Sequence, residues 1–571
     1  MKLKQLLFVQ LITVIFFGTG FFHTVFSQTS EERLVYFKDK NGTSFSISRP
    51  LEFLTQKAID RRTKQGISIT EQDLPVNIDY INQINNLGAT VSHGIKWFNA
   101  AIVTADEDTF TEIENLAFVE KVNKIVLHND PNRRVRISAT CEVQATEEEI
   151  CQEFEVNKIA EIKGTEENFD YGNSLAQIQM LGVDKMHEQG YLGQGIHIAV
   201  LDGGFINANA LSAFSHADIP FVYDVVGNGR NVYQGSSHGT KVLSTMLSKK
   251  EGQMIGTAPE ATYYLFRTED TSQEMPIEEA FWAVGAEKAD SLGVDIIQSS
   301  LGYVDYPEFS GVGYTYTQED LDGKTALISR AAEIATEKGI VVITSAGNSG
   351  SDAWGKISFP ADAPSVLAIG SVDRNEQRDG TSSFGRTVDG RIKPDVMAMG
   401  QGAVLWNIDD ELTSGSGTSY AAPLLAGLVA GFMQKNPNLT QKQIMFAVRR
   451  AGDSYFNPTE EYGYGIPNFQ RLNQIEIILG QENEDLTSKE SQIRVFPNPV
   501  ANSLNIEVDE KLFVSNQTLN LQIYNLQGKL ILTDVLTTSK KEIAFPVVPK
   551  GMYIIRVEGQ NYQGTIKILK D

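Results

Sequence analysis

Ser419 stands in "SGSGTSYAAP", Ser414 to Pro423, at the threshold of the helix-like stretch "YAAPLLAGLVAGFMQKNP". A hydroxyl in that place has two readings. It can cap the helix, because Ser and Thr satisfy the orphan amides of a helix start. It can also attack a carbonyl, provided an imidazole takes its proton and a carboxylate fixes the tautomer of that imidazole. The chain has seven histidines, and His238, in "GSSHGTKVLST", opens an apolar helical run that would aim its ring into the space before the helix. Asp202, in "HIAVLDGGF", ends a strand-like run, where Gly203 and Gly204 permit close backbone turns. Asn348, in "VVITSAGNSG", follows another apolar strand and could offer its amide to a developing negative oxygen beside the backbone amide of Ser419. Taken one at a time, Asp202 and Asn348 also read as ordinary turn residues.

The other histidines bear on the class of reaction. None of the seven follows Ser419, so the near match of "GTSYA" to the nucleophile elbow of α/β-hydrolases, which place their histidine after the serine, is misleading. His197, in "GIHIAVLD", reads as a satisfied interior or edge residue. His187 and His216 read as solvated surface or loop residues, His23 falls in the N-terminal apolar segment, and His93 and His128 belong to the first small domain.

The elements that must hold these groups are legible as runs of Val, Ile and Leu. "GIHIAVLD", "TYYLFRTED", "VDIIQSSLG", "GIVVITSAGN" and "SVLAIGSVD" alternate with helical pieces such as "EEAFWAVGAEKADSLG" and "TALISRAAEIATEKG". Strands with no polar face, separated by helices, predict a parallel sheet covered on both sides. Asp202, Ser300 and Asn348 then fall at carboxyl ends of strands, where ligands and chemistry collect in such sheets.

The rest of the 571-residue chain predicts several domains. Its net charge of -23 disfavours nucleic acid or an anionic membrane as a partner. The opening "MKLKQLLFVQLITVIFFGTGFFHTVFSQTS" has the two lysines, apolar core and small residues of a signal peptide ending at Ser27; an uncleaved anchor is the alternative, since the apolar run approaches the roughly 17 residues that span a bilayer. From Glu31 to His128 strand-like "RLVYF", "ATVSHGIKWFNAAIVTA" and "VEKVNKIVL" alternate with helical "NIDYINQINNLG" and "EDTFTEIENLA", a small α+β domain. A charged, aperiodic connector follows and carries both cysteines, Cys141 and Cys151, either a local disulfide or free thiols; their spacing fits no zinc pattern. Beyond the linker "QENEDLTSKES", short alternating strands from "SLNIEVD" to "GTIKILKD" predict a β-sandwich. "YAAPLLAGLVAGFMQKNP" reads as a helix broken by Pro423, and no stretch after the first is long and apolar enough to span a membrane.

In chain order "AVLDGGF", "SSHGTKV", "IGTAPEA", "SSLG", "SAGNSG" and "SGTSYAAP" resemble the subtilisin-like serine peptidases, the subtilases or S8 family. The resemblance covers the whole α/β region. It implies an α/β fold, a parallel sheet with helices on both faces, preceded by an inhibitory α+β propeptide and followed by the β-sandwich. It assigns Ser419 as nucleophile, His238 as general base and then acid, Asp202 as orienting carboxylate and Asn348 as oxyanion donor. Ser300, Leu301 and Gly302 would bind an extended substrate as an added strand. Two residues depart from the pattern: Lys241 stands where a second histidine is frequent, and Gly203 precedes Gly204 where Thr-Gly is commoner. The tail, with "VFPNPV", "YNLQGKLI", "GMYIIRV" and "KILK", is similar to the sorting domains of Bacteroidetes type IX secretion substrates, with an accessory adhesion or stability module as the alternative.

The expected organisation is therefore signal peptide 1–27, propeptide-like domain 28–130, connector with processing site 131–172, peptidase domain 173–480, linker 481–492 and sorting domain 493–571. The expected function is a secreted or cell-surface endopeptidase made as a zymogen, acting on proteins or peptides and exported across the outer membrane through the type IX machinery. It needs no cofactor for the chemistry, and no metal ligands are assigned, although relatives bind structural calcium. The competing readings are a catalytically silent binding protein on the same fold and an esterase. Tyr303 and Tyr306 read either as subsite walls or as exposed loop residues.

Overall fold

Alternation in "TVSHGI" buries every second side chain of one strand, whereas "EERLVYF" and "AAIVTA" are buried on both faces, and four strands build the first domain. In the computed structural model they are β1 (Glu31–Phe37), β2 (Thr90–Ile95), β3 (Ala100–Ala105) and β4 (Val119–Ile125), antiparallel in the order β2-β3-β1-β4. The structure describes residues 30–125, 168–475 without 273, 305 and 307–315, and 493–570 without 497–499, 509–517, 526–528 and 560–561. The sequence stretch that reads as one long strand piece is a hairpin, β2 and β3, turning through Asn99 at φ 48°. Helices α2 (Ile78–Asn86) and α3 (Glu107–Glu114) cover one face of the sheet with Ile81, Ile84, Phe110 and Ile113. An additional helix, α1 (Gln56–Lys64), is absent from the sequence reading.

The α/β domain is one seven-stranded sheet, parallel throughout. Its strands are β5 (His197–Asp202), β6 (Asp218–Asp224), β7 (Thr262–Arg267), β8 (Ile296–Ser299), β9 (Val341–Ser345), β10 (Leu367–Val372) and β11 (Val396–Met399). They lie in the order β11-β10-β9-β8-β5-β7-β6. After β5 the chain builds one side of the sheet and then crosses to β8 on the other, so a switch point lies between these two central strands, where open α/β sheets form a crevice at the carboxyl ends. Helices α4 (His238–Leu247) and α7 (Thr418–Lys435) pack together, and α5 (Glu278–Leu292) packs with α6 (Leu327–Glu337).

The free face of the first domain lies on α5. Leu34, Tyr36, Ile95 and Ile102 share a core with Phe281 and Trp282. Around this apolar contact runs a buried ionic seam. Arg62 bridges Asp290 at 2.6 Å and Asp73 at 2.8 Å, Lys338 reaches Asp73 at 3.0 Å, and Arg61 adds a further pair with Asp290. Glu287 accepts from the backbone amides of Lys96 and Trp97 at 2.9 and 2.7 Å. Burial opposes the charge on Asp290 and Asp73, yet the neighbouring cations win, and the Asp73 carboxyl is held down at about 2.

The C-terminal unit, Ile477–Asp571, is a β-sandwich. One sheet joins β12 (Ile493–Phe496), β13 (Ser503–Val508) and β16 (Lys540–Ala544); the other joins β14 (Leu519–Asn525), β15 (Leu530–Leu536), β17 (Gly551–Gly559) and β18 (Tyr562–Lys570). Leu504 and Ile506 of the first meet Leu521, Ile523, Ile555 and Val557 of the second in one core. The expected signal peptide, most of the connector with Cys141 and Cys151, and the expected linker lie outside the described residues. Among the described residues no helix is long and apolar enough to cross a membrane.

Candidate active site

Asp202 ends β5 and is fully buried. Its Oδ1 accepts from the Gly203 amide at 2.8 Å, and both of its oxygens face Nδ1 of His238, at 3.0 and 2.9 Å. His238 is the first residue of α4, and its backbone amide donates to Ser236 Oγ at 3.0 Å. The helix comes this close to the strand end because residue 239 is glycine. A Cβ there would lie 2.4 Å from the Gly204 carbonyl oxygen and 2.9 Å from Asp202 Cβ. A third of the His238 side chain stays open to solvent. Burial lowers its pKa, but Asp202 outweighs burial and the net shift is upward from 6.5, with Lys241 opposing. Lys241, the departure noted in the sequence, therefore favours the neutral imidazole that a general base requires.

Ser419 is the second residue of α7 and 8 % exposed. It does not cap the helix. The Thr418 amide is satisfied instead by Asn348 Oδ1 at 2.9 Å, and the Thr418 hydroxyl donates to the same oxygen at 3.0 Å. With its oxygen occupied as acceptor, Asn348 keeps its Nδ2 hydrogens to donate, from an exposed position following β9. The Ser419 hydroxyl donates to the Ser300 carbonyl oxygen over a long 3.4 Å; no bond from it to His238 is formed in this state. Its neighbour Tyr420 has its ring 6.0 Å from that of His238, which places the imidazole beside the helix start. Apo catalytic contacts commonly close only around substrate.

Pro423 does not break the helix, contrary to the sequence reading; α7 runs through it. A proline lacks the amide that would bond the carbonyl four residues back, and that carbonyl belongs to Ser419. Ser300 takes the vacant acceptor, donating its hydroxyl at 2.8 Å, and is itself held by Gln298 Nε2 at 2.7 Å. Proline four residues after the serine was the signal available in the sequence. The backbone of Leu301 and Gly302, just beyond β8, enters no strand pairing among the described residues, and Gly302 is exposed.

Four side chains are more buried than their sequence readings allow. His187 is fully buried, not solvated: it meets the Tyr171 hydroxyl at 3.0 Å and the Thr257 carbonyl at 3.1 Å, and burial pushes it down to about 4. His216 is half-buried against the Pro259 carbonyl at 2.9 Å. Tyr303 and Tyr306 are buried rather than exposed, which leaves the subsite reading open for Tyr303. His197 is as expected, bonded by the Tyr264 hydroxyl at 3.0 Å.

Comparison with known proteins gives the family of each part of the chain. Residues 193–465 match the Subtilase family, residues 32–139 the Peptidase S8 propeptide domain of Bacteroidota, and residues 494–571 the Secretion system C-terminal sorting domain. Subtilisin DY of Bacillus licheniformis is 31 % identical over 309 residues, 52 % of this chain and 97 % of its own length. Subtilisin NAT of Bacillus subtilis subsp. natto is 28 % identical over 405 residues, covering 68 % and 85 %, and an alkaline protease of Shouchella clausii is 26 % identical over 394 residues, covering 65 % and 93 %. A peptidase domain behind a propeptide makes this a serine endopeptidase produced as a zymogen; subtilisins need no cofactor for their chemistry, and the sorting domain points to secretion. Motif order, parallel sheet and kinship over nearly the full length of a subtilisin together place the chain in the subtilase family.

Proposed function

We propose that Ser419 attacks the carbonyl carbon of a peptide bond while His238 Nε2 takes its proton and Asp202 holds the Nδ1 hydrogen and stabilises the imidazolium. The tetrahedral oxyanion is received by Asn348 Nδ2 and the Ser419 amide. His238 then protonates the leaving amine, and water hydrolyses the acyl-enzyme by the same route in reverse. Ser300, Leu301 and Gly302 hold the substrate as an added strand. The observation that carries this reading is the pairing of His238 Nδ1 with both oxygens of the buried Asp202 carboxylate, at the carboxyl end of the strand beside Ser300.

The first domain, 28–130, acts in this reading as an inhibitory propeptide released by self-cleavage within 131–172. Residues 1–27 direct export, and the sandwich, 493–571, delivers the protein to the type IX machinery for passage across the outer membrane. A serine-directed fluorophosphonate tests the chemistry: the matured protein is labelled, and Ser419→Ala is not. A matured protein that takes no label would be a silent binder on the subtilase fold. Ser419→Ala also leaves the precursor uncut; normal processing of that variant would reject self-cleavage.

A further inference from the structure

Beside the His238–Asp202 pair lies a group that the peptidase chemistry does not use. Glu269, Glu274 and Glu278 each present a carboxylate oxygen within 4.8 Å of the others, Glu278 buried, Glu269 half-buried and Glu274 exposed. Glu269 reaches the cleft itself, since its Oε2 lies 3.3 Å from the place a Cβ on Gly203 would occupy, next to Asp202. That crowding explains the glycine at 203, because the same Cβ would also come within 2.5 Å of Thr271 Cγ2. Glu278 ties the loop down by accepting from the amides of Asp270 and Met275 at 2.6 and 3.0 Å.

A second observation points to a ligand. Tyr303 is 1 % exposed, and its hydroxyl makes no hydrogen bond of ordinary geometry, although it faces Glu269. Its ring stacks on Tyr306, and its backbone pairs with Phe359 through bonds of 3.0 and 2.9 Å in the two directions. Tyr303 is thus a fixed acceptor directly after the unpaired segment Leu301–Gly302. Burial and mutual repulsion push Glu269 up to about 8 and Glu278 up to about 9, so a cation placed among these carboxylates would favour their ionised form.

We propose that Glu269, Glu274, Glu278 and the Tyr303 hydroxyl form a subsite for a basic side chain, Lys or Arg, of the substrate, a few residues from the scissile bond. A substrate side chain fits better than a resident ion. Glu269 stands beside Asp202 and Glu274 is exposed, the group adjoins the segment an extended peptide would pair with, and both Glu278 oxygens already serve the loop. The inference rests on the cleft being the active site.

The test uses enzyme activated from the full chain and fluorogenic peptides carrying Arg, Lys, Gln or norleucine in turn at each position within about five residues of the scissile bond. At one position kcat/KM for Arg or Lys exceeds that for Gln and norleucine by at least tenfold. The ratio falls toward one in Glu269→Gln and in Glu274→Gln, and about threefold in Tyr303→Phe, which keeps the ring and its packing. Equal rates for basic and neutral peptides at every position, with the neutral ones cleaved, overturn the subsite and leave the protease reading standing. Variants that slow all peptides alike also overturn it. If terbium luminescence reports a divalent-ion site lost in Glu269→Gln, and chelation rather than peptide sequence governs the rate, the group holds a metal and the proposal is wrong. If neither peptide series is cleaved, both readings fall.

Discussion

The cleft and the seam use the same kinds of residue in opposite ways. At the seam Arg61, Arg62, Lys338, Asp73 and Asp290 neutralise one another out of water, and the acids sit low because their cations outweigh burial. In the cleft only one side of each group is engaged: Asp202 holds Nδ1 of His238, Asn348 spends its oxygen on Thr418, and Ser419 keeps a long, weak bond. Buried ion pairs fasten the two domains, whereas half-pairing leaves Nε2 and Nδ2 open and Oγ only weakly held. The difference separates a cluster that fastens two domains from one whose groups stay available to a substrate.

The contrast can be broken by mutation. Ser419→Ala lowers kcat by about 10⁶, measured on the activated enzyme with a peptide substrate. Asp202→Asn costs about 10⁴ because the imidazole loses its tautomer. The pH profile carries the sign: His238 must be neutral to act as base and its pKa is raised, so wild-type kcat/KM falls as pH drops through a midpoint above 6.5, and Asp202→Asn moves that midpoint down. Asn348→Leu lowers kcat on the order of 10²- to 10³-fold with little change in KM. On the seam, Asp290→Ala in the uncut Ser419→Ala precursor leaves two arginines buried without their shared partner. Amide exchange in α1 and β2 then speeds up by about 10²-fold. The partly exposed pair Lys57–Asp295, 3.0 Å apart, sets the floor: Lys57→Ala changes that exchange by no more than about fivefold.

Much of the cleft was legible because strands without a polar face announce a buried parallel sheet, and the residues ending them, Asp202, Ser300 and Asn348, lie where such sheets place chemistry. What escaped depends on partners remote in sequence. The buried residues of α1 are Ala58, Arg61 and Arg62, so the helix shows no apolar stripe to find; its inner face is charged because the surface it meets is charged. His187 reads as solvated until the Tyr171 hydroxyl and the Thr257 carbonyl close over it. Pro423 suggests a break because local rules count the missing amide and cannot see the Ser300 hydroxyl that compensates for it. The acidic group around Glu269 is scattered over a loop and a helix start, and only the turn of the chain before α5 gathers it.

The exchange between Ser300 and Ser419 has a mechanical consequence. The wall that would grip a peptide and the residue that would cut it are stitched together at the main chain, so thermal motion carries both as one body. Distance between blade and workpiece then survives breathing of the surrounding loops. Ser300→Ala would remove the stronger of the two stitches and leave Asp202, His238, Asn348 and Ser419 untouched.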